Sequence, residues 1–271
     1  MSISDFEAAI SQAIDRDELV LHYQPIVSVR TGVLEGFEAL VRWDRPGVGL
    51  LPPAEFIPVA EKSGLICEIG VWALNNATEQ LAAWNRAVGA RDLTVAVNVS
   101  GRHLNASRIR DDVATALRRS GIDPGRLVLE ITETTLVGGV LAMKNLRELR
   151  HMGVALSLDD FGAGYNTVEQ LTRLPVDIVK IDKDYLDVST ATTRELFRSM
   201  VDAVHALGLP VVAEGVEHPD QLELLKAVGV ESAQGFAVGL PMAPAELEAH
   251  WHASMCVPEL PRRGDDGEPV S

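Results

Sequence analysis

From Thr94 to Val238 the hydrophobic period of the chain switches repeatedly between about 2 residues and about 3.6. The runs TVAVNVS (94–100), LVLEIT (127–132), VALSLDD (154–160), DIVKID (177–182), PVVAEG (210–215) and SAQGFAV (232–238) read as strands. Helical patterns fall between them, over about 107–120, 140–152, 167–173, 192–207 and 219–228. Strand–helix alternation with short connections requires parallel strands joined by right-handed crossovers. Two strands precede this series. Leu19–Val29 carries Pro25, which limits its pairing, and Val33–Trp43 returns after the tight turn Arg30-Thr31-Gly32, so these two are antiparallel. The count is then eight strands, which predicts an α/β fold: a (β/α)8 TIM-like barrel with one antiparallel strand at the start. An open doubly wound sheet is the alternative, but it would want a glycine-rich phosphate turn, and GAGYNT is not GxGxxG.

The remaining segments fit around this frame. Residues 1–17 hold a short amphipathic N-terminal helix over about 4–15, the barrel spans 18–254, and residues 255–271 form a tail. A Pro/Gly-rich loop, DRPGVGLLPP, leads into helical AEFIPVAEKSG, and a further helix covers roughly Gly70–Val88. From Pro258 onward the tail is rich in Pro, Gly and acids, which predicts disorder.

Near the C-terminal end of strand after strand, a polar residue interrupts the apolar run. These are Glu38, Asn98, Glu130, the pair Asp159 and Asp160, Lys180, Glu214 and Gln234. The flanking residues of 97–99, 129–131 and 179–181 are apolar and face the helices, so Asn98, Glu130 and Lys180 face the barrel axis. Barrel enzymes build their active sites at this mouth from several strands. Alternation along VALSLDD sends Ser157 and Asp159 to one face and Asp160 to the other. One buried carboxylate is commonly a paired structural group, and Asp-Asp after a strand is commonly a solvated turn. Several at one mouth are another matter, since each uncompensated buried charge costs several kcal/mol. Oxygen donors with no His or Cys among them suit Mg²⁺, Mn²⁺ or Ca²⁺ rather than zinc. The seven histidines show no ligand spacing, which disfavours a histidine-ligated phosphodiesterase. Asp160-Phe161-Gly162 lacks the glycine-rich loop and HRD segment of a protein kinase.

Acidic residues outnumber basic ones, 39 to 24, for a formal charge of -15, which argues against binding duplex nucleic acid or an anionic membrane. An anionic substrate is compatible if metal ions supply local positive charge. Cys67 and Cys256 stand apart and read as free thiols in a reducing compartment. No apolar run approaches the length of a membrane span, and a cytoplasmic protein is expected.

Nine ordered motifs resemble the EAL domain, the family of cyclic di-GMP-specific phosphodiesterases. They are YQPIV (23–27), EALVRW (38–43), PAEFIPVAEKSGLI (53–66), VNVS (97–100), LEITE (129–133), LDDFGAGY (158–165), VKID (179–182), AEGVE (213–217) and QGF (234–236). The resemblance implies hydrolysis of cyclic di-GMP to linear pGpG with two divalent cations, Mg²⁺ or Mn²⁺, and inhibition by Ca²⁺. It makes Glu38, Asn98, Glu130 and Asp159 ligands of one ion, with Asp159 bridging to a second held by Asp160 and Glu214. Lys180 would position the attacking water and Glu214 would be its general base. Gln24, Leu40, Arg42 and Gln234 match substrate-binding positions, and Glu133 and Glu217 supporting ones. The segment 160–168 resembles the one through which family members pair, with a monomer as the other outcome. GAGYNTV stands where GTGYSSL is commoner, and QGFAVGLPM where QGYLFSRP is, which would alter the coupling of the loop and the guanine contacts. No metal or catalytic position is lost, so turnover is favoured over a receptor that only binds cyclic di-GMP. A metal-dependent barrel acting on an enolisable substrate would want a second axial lysine or a histidine base, and neither is present.

Overall fold

The structure, a computed structural model, describes residues 3–88, 92–132, 140–162, 168–186 and 190–253. Its strands are β1 (Leu19–Ser28), β2 (Leu34–Arg45), β3 (Gly49–Leu51), β4 (Thr94–Asn98), β5 (Leu127–Thr132), β6 (Ala155–Phe161), β7 (Ile178–Ile181), β8 (Val211–Ala213) and β9 (Ser232–Ala233). The helices are α1 (Ile3–Asp15), α2 (Pro53–Ser63), α3 (Ile66–Val88), α4 (Gly101–Leu104), α5 (Ile109–Ser120), α6 (Val140–His151), α7 (Val168–Leu171), α8 (Ala191–His205), α9 (Pro219–Val228) and α10 (Pro244–Ala253).

Eight strands close into a barrel in the order β1-β9-β8-β7-β6-β5-β4-β2, and β1 meets β2 to complete the ring. The fold is the expected (β/α)8-type barrel. β1 runs antiparallel to both neighbours, and every other pair in the ring is parallel. The reversal follows from the short turn after β1, where Gly32 takes a left-handed φ of 70°. β3, which the sequence pattern did not mark, is a hairpin arm on the outer end of β2.

Burial follows the strand period. Val95, Val97, Leu129, Leu156, Leu158 and Val179 are buried against the helices, and Ala96, Glu130, Ser157 and Lys180 alternate with them inside the barrel. Trp84 of α3 packs edge-on against Tyr23 at 4.8 Å and lies 4.9 Å from Phe37, tying the longest helix to β1 and β2. A second, smaller core lies under α1, where Ile10 and Ala13 meet Trp43, Phe56 and Ile69. Burying each of its large apolar side chains is worth about 1.5–3 kcal/mol.

Two local departures from the sequence pattern matter. The last two strands are shorter than their apolar runs, because the chain leaves the ladder at the polar mouth. Gln234 still donates its N–H to Ala213, and Val216 to Gln234, across a close approach in which any Cβ on Gly235 would run into the Val216 backbone. β6 carries a bulge: Leu158 pairs with Val179 but Phe161 with Ile181, so three steps on β6 answer two on β7. Asp160 absorbs the extra residue with a left-handed φ of 57°. Strict alternation therefore fails here, and Asp159 and Asp160 do not diverge to opposite faces as the pattern predicted. Among the described residues, no helix is long and apolar enough to cross a membrane. The tail expected to be disordered lies, from residue 254, outside the described residues.

Candidate active site

Strand register assembles the site. Gln24 pairs with Glu38 across β1 and β2, and Asn98 with Glu130 across β4 and β5. Lys180 enters from β7, fully buried, and its ammonium lies among four carboxylates. Nζ is 2.7 Å from Glu130 Oε1, 2.6 Å from Glu214 Oε1, 3.4 Å from Glu38 Oε2 and 3.5 Å from Asp159 Oδ1. Glu38 also accepts from Asn98 Nδ2 at 2.7 Å and from Gln234 Nε2 at 2.7 Å. Gln234 donates in addition to Gln24 Oε1 at 2.9 Å, and Gln24 in turn donates to the Gly239 carbonyl at 3.1 Å.

This crowding sets the charge states. Burial raises the Glu38 carboxyl, but Lys180 and the amide donors of Gln234 and Asn98 outweigh it and leave Glu38 below its usual range. Glu130 goes the other way, well above the carboxylate range, from burial first and then from repulsion by Glu38, against the pull of Lys180. Glu214 is pushed up to about 8 by burial and by Asp159 and Glu38, with Lys180 opposing. Lys180 itself is held well above its ordinary value: burial works against its charge, and the carboxylates outweigh burial. At about 8, the Glu214 carboxyl favours its protonated form at neutral pH.

The β6 bulge has a chemical result. Oxygens of Asp159, Asp160 and Glu214 lie within 4.8 Å of one another. Hard oxygens at that spacing fit a divalent cation such as Mg²⁺ or Mn²⁺. Glu38, Asn98 and Glu130 are drawn instead around Lys180 and Gln234, yet Glu130 keeps one buried oxygen, Oε2, with no hydrogen-bond partner.

Above the cluster opens a cleft of about 260 Å³ lined by Gln24, Glu38, Glu214, Glu217, Gln234 and Phe236, among others. Leu40 and Arg42 continue the face of β2 that carries Glu38, two and four residues toward the mouth. The half-buried Arg42 guanidinium donates to the Val41 carbonyl at 2.9 Å, and burial draws its pKa down. Gln221 caps α9 and holds the turn at Glu217 by accepting both the Glu217 and His218 N–H groups at 2.8 Å. Glu133 and residues 163–167 of the proposed pairing segment lie outside the described residues. The sequence pattern passed over Asp182 and Lys183, which line the cleft just past β7, and Phe236, 63% exposed at its edge. Position at a strand's C-terminal end marked the first two, and an exposed aromatic beside Gln234 marked the third.

A family model for the EAL domain matches residues 7–241. The chain is 42% identical over 245 residues to the bifunctional diguanylate cyclase/cyclic di-GMP phosphodiesterase MucR of Pseudomonas aeruginosa, covering 89% of this chain and 35% of that protein. It is 37% identical over 246 residues to the cyclic di-GMP phosphodiesterase PdeR of Escherichia coli, covering 90% of this chain and 37% of that one. Among solved structures, the PaMucR phosphodiesterase in complex with c-di-GMP superimposes with a TM-score of 0.84 at 39% identity, covering 90% of this chain and 99% of that one. The chain spans about a third of the length of these curated relatives. By its matched residues and its barrel, this chain belongs to the EAL domain family.

Proposed function

We propose that the domain hydrolyses cyclic di-GMP to linear pGpG, using two divalent cations, Mg²⁺ or Mn²⁺. The observation that carries this reading is the convergence of Asp159, Asp160 and Glu214 within 4.8 Å beside the buried Lys180. Glu38, Asn98, Glu130 and Asp159 would hold one ion, and Asp159, Asp160 and Glu214 the other. When bound, the ions supply Lewis acidity toward the phosphodiester and positive charge for an anionic substrate. Glu214, at the edge of the cleft, takes the proton of the attacking water. Lys180 donates toward that water and fixes the direction of Glu214 through their 2.6 Å contact. Arg42 offers a guanidinium fork to a phosphate. Gln24 and Gln234 hold Glu38 and reach the cleft, and Phe236 presents a face on which a guanine can stack. Leu40 lies on the substrate side of β2, and Glu217 supports the rim.

The substrate, a bacterial signalling dinucleotide, places the domain in the cytoplasm, and a homodimer joined through residues 160–168 belongs to the same reading. Light scattering at micromolar concentration tests the pairing, and a strict monomer removes it. The activity is tested by incubating the protein with cyclic di-GMP and Mn²⁺ and resolving the products by chromatography. Accumulation of pGpG is expected; binding without product would mark the domain as a receptor instead.

A further inference from the structure

The barrel has a second opening, at the end opposite the mouth. TIM-type barrels are ordinarily filled there by layers of bulky branched side chains. Here the inward positions near the starts of the parallel strands include Thr94, Ala96, Ala155 and Ser232, and they leave a chamber of about 480 Å³. That is within the range of about 300–1,000 Å³ common to small-molecule sites. Its walls are mainly apolar, with Ile26, Val128, Ile178 and Val212 among them.

One polar side chain at its inner end lacks a partner. Ser157, 1% exposed, has none for Oγ. It lines this chamber and does not line the cleft at the mouth. A buried hydroxyl left without a partner is costly. A guest with one group that can both donate and accept would satisfy it, while an apolar body filled the space below.

We infer that this chamber is a binding site for a small, mainly apolar molecule bearing a single hydroxyl head, which bonds Ser157 from beneath the active site. The proposal does not depend on the reaction assigned to the mouth.

Benzyl alcohol is a suitable probe, with toluene as its counterpart lacking the hydroxyl. Titration of the full chain, followed by methyl NMR, should shift Ile26, Val128, Ile178 and Val212 saturably at millimolar benzyl alcohol, with toluene at least fivefold weaker. Ser157→Ala keeps the space and removes one partner, so benzyl alcohol should weaken about fivefold, the worth of one hydrogen bond, with toluene unaffected. Ala155→Met fills the chamber and should abolish both. If Ala155→Met does not fold, the Ser157→Ala comparison decides alone. Absence of saturable shifts at these methyls, or an unchanged preference between the probes in Ser157→Ala, overturns the proposal.

Discussion

Lys180 Nζ lies 2.6 Å from Glu214 Oε1 and 2.7 Å from Glu130 Oε1, so one ammonium joins the two carboxyls of the cluster whose proton affinities are raised. A residue that binds both cannot be altered without changing the charge of the whole cluster.

Lys180→Met tests that directly. Removing one member of a buried ion-paired set costs about 3–5 kcal/mol, because its partners stay buried without compensation. Metal-free Lys180→Met should melt well below the parent, and Mn²⁺ should restore much of the loss. Unchanged melting without metal would mean that protonation of Glu130 and Glu214 already balances the site.

Metal binding should depend on pH through Glu214. Its carboxyl, at about 8 against an ordinary 4.5, holds a proton at neutral pH that a cation must displace. Apparent Mn²⁺ affinity should rise with pH and level off above about 8. In the metal-free fold the sign is opposite. The raised pKa contributes stability that is complete below about 4.5 and is lost as pH rises through about 8. Calorimetric titration in buffers of differing ionisation heat would count the released protons. Proton release at pH 7 that is unchanged in Glu214→Gln would assign the proton elsewhere.

Glu214→Gln should separate binding from chemistry. Shape is kept, and the amide neither attracts a cation strongly nor accepts the proton of water. Cyclic di-GMP binding should stay within about tenfold, or about 1.4 kcal/mol, while turnover falls at least ~10²-fold. Normal turnover would make Glu214 structural, and loss of both would couple the two ion sites more tightly than proposed.

Arg42 sits toward the mouth on β2, outside the ring of carboxylates around Lys180. Arg42→Ala should raise KM more than it lowers kcat, the signature of lost uniform binding. A collapse of kcat at saturating substrate would give it a transition-state role.

Chelation should stop turnover, and Mg²⁺ or Mn²⁺ should restore it. Ca²⁺ should bind yet inhibit, since its larger radius and looser coordination misplace the reacting groups. Activity that survives exhaustive chelation would remove the ions from the reaction.

The barrel was legible because periodicity is a long-range average over whole strands and helices, and the turn Arg30–Gly32 was short enough to force β1 antiparallel. The inward direction of Glu130 and Lys180 followed from the same alternation. Asp160 did not follow it. A bulge is a single-residue event in backbone dihedral space, and Asp-Asp carries no mark of it in a hydrophobic pattern. The short β8 and β9 were likewise hidden, because their ladders end at Ala213 and Ala233, just before Glu214-Gly215 and Gln234-Gly235, while the strand-like pattern runs on. The deep chamber was not legible either: small inward residues such as Ala96 and Ala155 are ordinary in any strand.

The reversed first strand also sets where α1 lies on the barrel. In an all-parallel barrel the first strand would start at the end away from the mouth. Because β1 runs the other way, Leu19 pairs with Trp43 at the mouth, and α1 is delivered to that rim. Glu18, on the link between α1 and β1, accepts from the Trp43 indole at 3.0 Å and from the Asp44 N–H at 2.8 Å. A displacement of α1 therefore bears on β2, the strand that carries Glu38 and Arg42, through Glu18 and Trp43, and on α2 and α3 through the small core beneath it.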